Sequence, residues 1–304
     1  MLPVLFNGVL PVFVVAALGY VMGIRGVFDS VAASAINKLV FLLAVPALGF
    51  RLLVNAPFEE FDWFLLIGLL LSELITYGLG FIVSRLIFKI ELKESILLGL
   101  AAAFGNTLLF VLPITLALFG ESSTLPIVAI IAFDSILIFG GTIVIIEALS
   151  AESFSYSGLC KDILSNPPLV SMLLGILFVI FSIDIPHGLN VFLNFVGNIA
   201  APSSLFSLGI ILSQTKLSEQ ITPALSISIL KLLFYPILAW LILLEIFGFT
   251  LMQAKTSMMV AAAPCGTMAF VLALNYHVRS SIIASAILLT TIGSLVSVTI
   301  IAAW

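Results

Sequence analysis

Asp134 is an acid inside an apolar run, AFDSILIF, about ten residues into a long hydrophobic segment. A carboxyl at that depth in a membrane costs roughly 2.5–3.5 kcal/mol on insertion scales, so it must be protonated, paired, or next to a cation or water. Its chemistry is then that of a proton- or cation-coupling group, or of a hydrogen-bond partner for a substrate. The plainer reading is a structural acid bonded to a broken helix nearby. Glu73 and Lys231 are two more charges in mid-segment, of opposite sign and at equivalent places in the two halves of the chain. As a buried pair they would hold their helices in register, and loss of one partner would strand a charge at a cost of about 3–5 kcal/mol. Lys231 has a second reading, recognition of an anion.

Beside these charges lies a stretch that occurs twice. Residues 101–114 read AAAFGNTLLFVLPI and residues 261–274 read AAAPCGTMAFVLAL, aligned without a gap at an offset of 160 with seven of fourteen positions identical. The first copy carries Gly105, Asn106, Thr107 and Pro113; the second carries Pro264, Cys265, Gly266 and Thr267. Proline removes a backbone donor and breaks or bends a helix. In lipid the freed carbonyls survive only where protein or an aqueous cavity satisfies them. Paired breaks in corresponding segments point to a transporter binding site, with helix N-termini facing an anion and freed carbonyls free to hold a cation. Asn106 adds an amide that both donates and accepts. Phe110 and Phe270, also matched in the repeat, are placed to contact the body of a substrate. A packing kink is the alternative for either break taken alone.

The elements that must position these groups follow from composition. Of 304 residues, 62% are hydrophobic and 9% charged, against about 25% charged in soluble domains. The chain reads as an all-α membrane protein with ten spans, at about 3–24, 32–54, 61–87, 94–118, 124–148, 166–183, 190–213, 221–247, 254–276 and 280–303. The longest connection, 149–165, divides 1–148 from 166–304. The halves match throughout: Pro46 lies on Pro202, and Glu73-Leu-Ile-Thr-Tyr77 on Lys231-Leu-Leu-Phe-Tyr235. Five spans per half is odd, so the second half enters the membrane from the opposite side and the repeats are inverted. The breaks fall in the fourth and ninth spans, which are expected to unwind and cross. Asn7, Asn37, Asn194, Asn198, Ser203, Ser204 and Ser207 are expected to act as glue between helices.

Lys and Arg in loops set the orientation. One side holds Arg25, Arg85, Lys89, Lys93, Lys161, Lys216 and Arg279; the other holds Arg51 and Lys255, with Glu59, Glu60 and Asp62. The first side is cytoplasmic, and both termini face out. The N-terminus has no basic leader region and reads as a retained first helix. Cys160 and Cys265 lack metal-ligand spacing and imply no disulfide framework. No HExxH zinc motif, phosphate loop or second acid suited to an aspartyl protease accompanies Asp134, and no basic cluster suggests nucleic acid. The expectation is a protein that is not an enzyme and needs no metal or cofactor.

The order and spacing of Asn37-Lys38-Leu39-Val40 through Pro46, Gly105-Asn106-Thr107 through Pro113 with Leu118-Phe119-Gly120-Glu121, Ser165-Asn166-Pro167-Pro168, and Ala263-Pro264 through Asn275-Tyr276 resembles the auxin efflux carrier family in its bacterial branch. The resemblance covers nearly the whole chain. It implies a fold similar to bile acid:sodium symporters and sodium–proton antiporters, with crossing fourth and ninth helices. Scaffold helices 1, 2, 6 and 7 would hold transport helices 3–5 and 8–10, which move in an elevator-like manner. It implies small organic anions as substrates, among them malate, malonate and auxin-like compounds, and a homodimer through the scaffold in a bacterial inner membrane. The family's crossover prolines carry over onto Pro113 and Pro264, and its asparagine onto Asn106. The chain departs from the family at Leu108, Leu109, Phe110 and Val111, where glycines are common, and at Cys265-Gly266, where polar residues are common. A more apolar pocket follows, better suited to an apolar monocarboxylate than to a small dicarboxylate. The expectation is therefore a secondary carrier, coupled to protons or sodium through Asp134. The alternatives are a sodium-coupled importer of the bile-acid-symporter type and a non-transporting anion sensor.

Overall fold

The computed structural model describes residues 5–55, 62–120, 123, 125–150, 167–214 and 220–304. Several expected features lie outside the described residues: nearly all of the central connection with Cys160 and Lys161, and also Glu59, Glu60, Glu121, Ser165, Asn166 and Lys216. The helices in chain order are α1 (Leu10–Ile24), α2 (Ser30–Val54), α3 (Trp63–Ile87), α4 (Leu92–Ala103), α5 (Thr107–Phe119), α6 (Pro126–Leu149), α7 (Pro167–Ile180), α8 (His187–Gln214), α9 (Ile221–Ile246), α10 (Leu251–Ala261), α11 (Met268–Asn275) and α12 (Ser281–Ala302). Six of them, α2, α3, α6, α8, α9 and α12, are long and apolar enough to cross a membrane. The remaining helices are shorter, and α1, α5 and much of α7 are equally apolar. Phe195 and Met252 are 79% and 82% exposed. With these spans and this composition, the protein is a multi-pass helical membrane protein.

Local chemistry sets the helix ends. Asp29 accepts from the Ala32 N–H at 2.8 Å ahead of α2, and Asp62 accepts from the Phe64 N–H at 2.9 Å ahead of α3. Thr250 and Gln253 form a reciprocal capping box at the start of α10. Prolines leave a second mark. Wider π turns at Leu5–Val9, Val40–Ala44, Thr107–Val111 and Leu230–Phe234 each end two residues before a proline, at Pro11, Pro46, Pro113 and Pro236. A proline ring collides with the carbonyl four residues back. The wider turn moves that carbonyl aside and passes its hydrogen bond to another donor, which lipid would not supply. Lys231 sits in the last of these turns, and Asp134 opens another at Asp134–Gly140.

The helices pack in two groups. In the first, α1 runs along the second half of α8, and α2 packs on α7 and α8. The α1–α8 contact requires glycine. A Cβ at Gly19 would lie 2.0 Å from the Phe206 carbonyl oxygen, and one at Gly209 would lie 2.0 Å from that of Ala16. Backbones this close are typical of small-residue membrane interfaces. Polar side chains join the same helices as expected: Ser207 donates to Asn37 Oδ1, and Arg51 donates to Asn194 Oδ1. In the second group, α3 packs on α4 and α9, α9 packs on α12, and α4 also meets α6, α11 and α12. The two breaks lie within this second group.

Candidate functional site

Helix α4 stops at Ala103 and α10 at Ala261; the chain resumes as helix at Thr107 and Met268. Between these ends the two strands of backbone lie side by side. Gly105 and Cys265 form an antiparallel bridge, the only such bridge among the described residues. The Asn106 N–H donates to the Pro264 carbonyl at 3.0 Å, and the Gly266 N–H donates to the Phe104 carbonyl at 2.8 Å. Each break thus satisfies the other, which answers the requirement that unwound backbone in a membrane be buried in protein. Gly266 is needed for this approach, since a Cβ there would meet the Phe104 ring at 2.7 Å and the Gly105 carbonyl at 3.1 Å.

The remaining freed groups are satisfied differently on the two sides. At the first break, the Lys231 ammonium donates to the Ala103 carbonyl at 2.6 Å. At the second, Ser297 on α12 donates to the Ala262 carbonyl at 2.8 Å. Thr290, two turns earlier on the same helix, accepts from the Cys265 N–H at 3.1 Å. Four helix ends converge here, two C-termini with negative dipole ends and two N-termini with positive ones. An ammonium at the end of α4 suits that field.

Lys231 is fully buried, as are Glu73 and Asp134. The three act on one another electrostatically, although they come from α9, α3 and α6. The expected Glu73–Lys231 pair takes no hydrogen-bonded form. The ammonium goes to the backbone and lies 4.4 Å from the centre of the Tyr235 ring. Glu73 and Asp134 act on each other most directly within this buried group. As two carboxylates both are acceptors, and Glu73 Oε1 and Oε2 and Asp134 Oδ1 have no partner among the described residues.

The other expected residues divide by environment. Asn106 is 9% exposed; its backbone is bonded across the breaks, and its side-chain amide forms no hydrogen bond among the described residues. Thr107 opens α5 with a buried hydroxyl that has no partner among the described residues. Phe110 is buried edge-on against Phe13 of α1, with ring centres 5.2 Å apart, where the two helix groups meet. Pro264 and Cys265 are buried in the crossing; Thr267, Phe270 and Pro113 are half-buried around it. Sequence reading did not single out Tyr235, Thr290 or Ser297 for the site. Tyr235 had a signal, since it follows Lys231 by four residues as Tyr77 follows Glu73. Thr290 and Ser297, seven apart on an apolar helix, share a face.

Buried charges and two interrupted helices bonded to each other, within a multi-pass helical scaffold, define a membrane transport protein. The comparison with protein families agrees. A family model described as membrane transport protein, that of the auxin efflux carriers, matches residues 4–302, and the chain belongs to that family. It is 26% identical to a Rhizobium meliloti protein named "Putative malonate transporter", over 96% of this chain and 92% of the relative. It is 28% identical to an uncharacterised transporter of Methanothermobacter thermautotrophicus, over 95% of this chain and 94% of the relative. A transporter of Methanocaldococcus jannaschii, also uncharacterised, is 27% identical over 97% and 96%.

Proposed function

We propose that the protein is a secondary carrier of a small organic anion, bound where the two breaks cross. The observation that carries this reading is the antiparallel contact of the breaks beside Asn106, whose side-chain amide has no hydrogen bond among the described residues. Half-helix N-termini at Thr107 and Met268 offer N–H groups to a carboxylate. Asn106 fixes its orientation, and Thr107, Thr267 and Phe270 line the approach. Phe110 and Leu108 make the surroundings apolar. Asp134 is the coupling group. The relative named for malonate supports a carboxylate substrate.

In this reading the twelve helices make ten spans, with α4–α5 as the fourth and α10–α11 as the ninth, in two inverted repeats, 1–148 and 166–304. The packing supports the exchange. The contact of α1 with α8 and that of α2 with α7 are the pairs an exchange of repeats would interchange, and the α4–α5 and α10–α11 breaks are bonded to each other. The group of α1, α2, α7 and α8 is the scaffold, and the remainder is the transport unit that moves past it. The protein sits in the cytoplasmic membrane with both termini outside, as a homodimer through the scaffold.

Uptake and counterflow in proteoliposomes test the reading, with malonate, malate and indole-3-acetate, with and without sodium and a pH gradient. Saturable counterflow of one anion is expected. Binding without flux would instead make the protein a sensor, and unitary currents would make it a channel.

A further inference from the structure

α2 has two unlike faces in its first three turns. One meets the protein: Ala33 and Val40 are buried, and Asn37 Oδ1 accepts from Ser207 of α8. The other carries Ser30, Ser34 and Lys38, all exposed and four residues apart, so they share one row of the helix. With Val31 and Ala35 they line an open hollow of about 330 Å³. The row continues at Leu42, exposed and apolar. Among the described residues no carboxylate pairs with Lys38. Asp29, the acid beside Ser30, is engaged in capping α2 through the Ala32 N–H.

α2 is 25 residues long, about 37 Å at 1.5 Å per residue, against a hydrocarbon layer of about 30 Å. Lys38 lies eight residues past Ser30, about 12 Å along the axis. Its Cα therefore sits inside the hydrocarbon boundary, close to the surface from which α2 enters. A lysine there carries its ammonium out to the interface. Helical side chains lean towards the N-terminus, so the stem runs over Ser34 towards Ser30, and a hollow lined by all three fits that course. What completes the row must be anionic and must accept from an ammonium and two hydroxyls. It must also lie at a membrane surface, with an apolar part beside Leu42. The phosphate of a phospholipid meets all of these requirements. We infer that Ser30, Ser34 and Lys38 are a binding site for the headgroup phosphate of an anionic phospholipid, whose acyl chain lies along Leu42. The site belongs to the group of α1, α2, α7 and α8 and does not rest on the carrier reading.

The test is thermal unfolding of the purified full-length protein in neutral detergent, titrated with phosphatidylglycerol, phosphatidylcholine or inorganic phosphate. A ligand that binds the folded state raises the unfolding temperature. Phosphatidylglycerol should do so with saturation, at concentrations about fivefold lower than phosphatidylcholine, the effect of one lysine near a membrane surface. Lys38→Met should abolish that preference and Lys38→Arg should keep it. Lys93→Met, at another base on the same side, should keep it too. Ser34→Leu blocks the row and leaves the lysine in place, so it should also lose the preference, and it decides where Lys38→Met does not yield folded protein. A wild type indifferent to headgroup charge would overturn the inference, and so would an undiminished preference in folded Lys38→Met or Ser34→Leu. Equal stabilisation by inorganic phosphate would assign the row to a free anion and overturn the lipid. A Lys38→Met protein that keeps the preference but changes its oligomeric state would assign the row to a contact between two copies.

Discussion

The two breaks are built from one repeated stretch, yet they are held by different chemistry. At the first, the freed Ala103 carbonyl is met by a full charge, the Lys231 ammonium. At the second, the Ala262 carbonyl and the Cys265 N–H are met by the hydroxyls of Ser297 and Thr290. Both solve the same problem, a backbone polar group with no water to turn to. Only the first brings in a charged side chain. The duplicated sequence thus supplies a symmetric frame, and the side chains packed behind it differ, an ammonium at the first break and hydroxyls at the second.

The largest effect that would break this comparison is expected at Lys231. Lys231→Met leaves two buried acids without their cation and should destabilise the protein by about 3–5 kcal/mol, read as a lower unfolding temperature in detergent. A change no larger than that of a hydroxyl variant would mean that the two breaks are held equivalently. Next come the glycines of the bridge. Gly266→Ala places a methyl 2.7 Å from the Phe104 ring and 3.1 Å from a backbone oxygen, whereas at Gly105 the nearest atoms lie at 3.2 Å. Overpacking of this kind costs about 1–3 kcal/mol, so Gly266→Ala should lower stability and counterflow more than Gly105→Ala does. The reverse order in a paired thermal assay would place the tight contact at the wrong strand. The smallest effects are expected at the hydroxyls. Ser297→Ala and Thr290→Val each remove one hydrogen bond within the membrane, worth about 0.6 kcal/mol and at most about 1.7. Both variants should retain the pH dependence of transport. A lost pH response in either would show that the second break also titrates.

Much of this site could be read from the chain. The breaks announced themselves because Gly, Asn and Pro are poor choices in an apolar helix, and because the stretches that hold them align at one offset in the two halves. Asp134, Glu73 and Lys231 each stood out as charges in apolar segments. Their union in one cluster did not, because it depends on how α3, α6 and α9 pack against each other, and no local pattern records that. The partner of Lys231 was also hidden. Opposite charges at equivalent positions suggested a pair, but the ammonium found a main-chain carbonyl, which has no letter in the sequence. Thr290 was obscured for a related reason. A hydroxyl in a membrane helix commonly bonds back to its own preceding turn, as Thr290 does to the Ala286 carbonyl at 2.7 Å. Its second contact, with the Cys265 N–H, exists only because α12 lies beside the break. The prolines were plain in the sequence, but the π turns two residues ahead of them follow from the need to rehouse a carbonyl in lipid.

The central claim is that an anion is held at the crossing by the Asn106 amide. Counterflow of the transported anion, with malonate as the first probe, tests it most directly in proteoliposomes that carry wild-type protein or Asn106→Ala at matched, folded amounts. The account predicts saturable exchange in the wild type and a loss of at least about tenfold in the variant, the equivalent of about 1.4 kcal/mol, with the unfolding temperature little changed. Undiminished exchange in folded Asn106→Ala would place the substrate elsewhere and contradict the account.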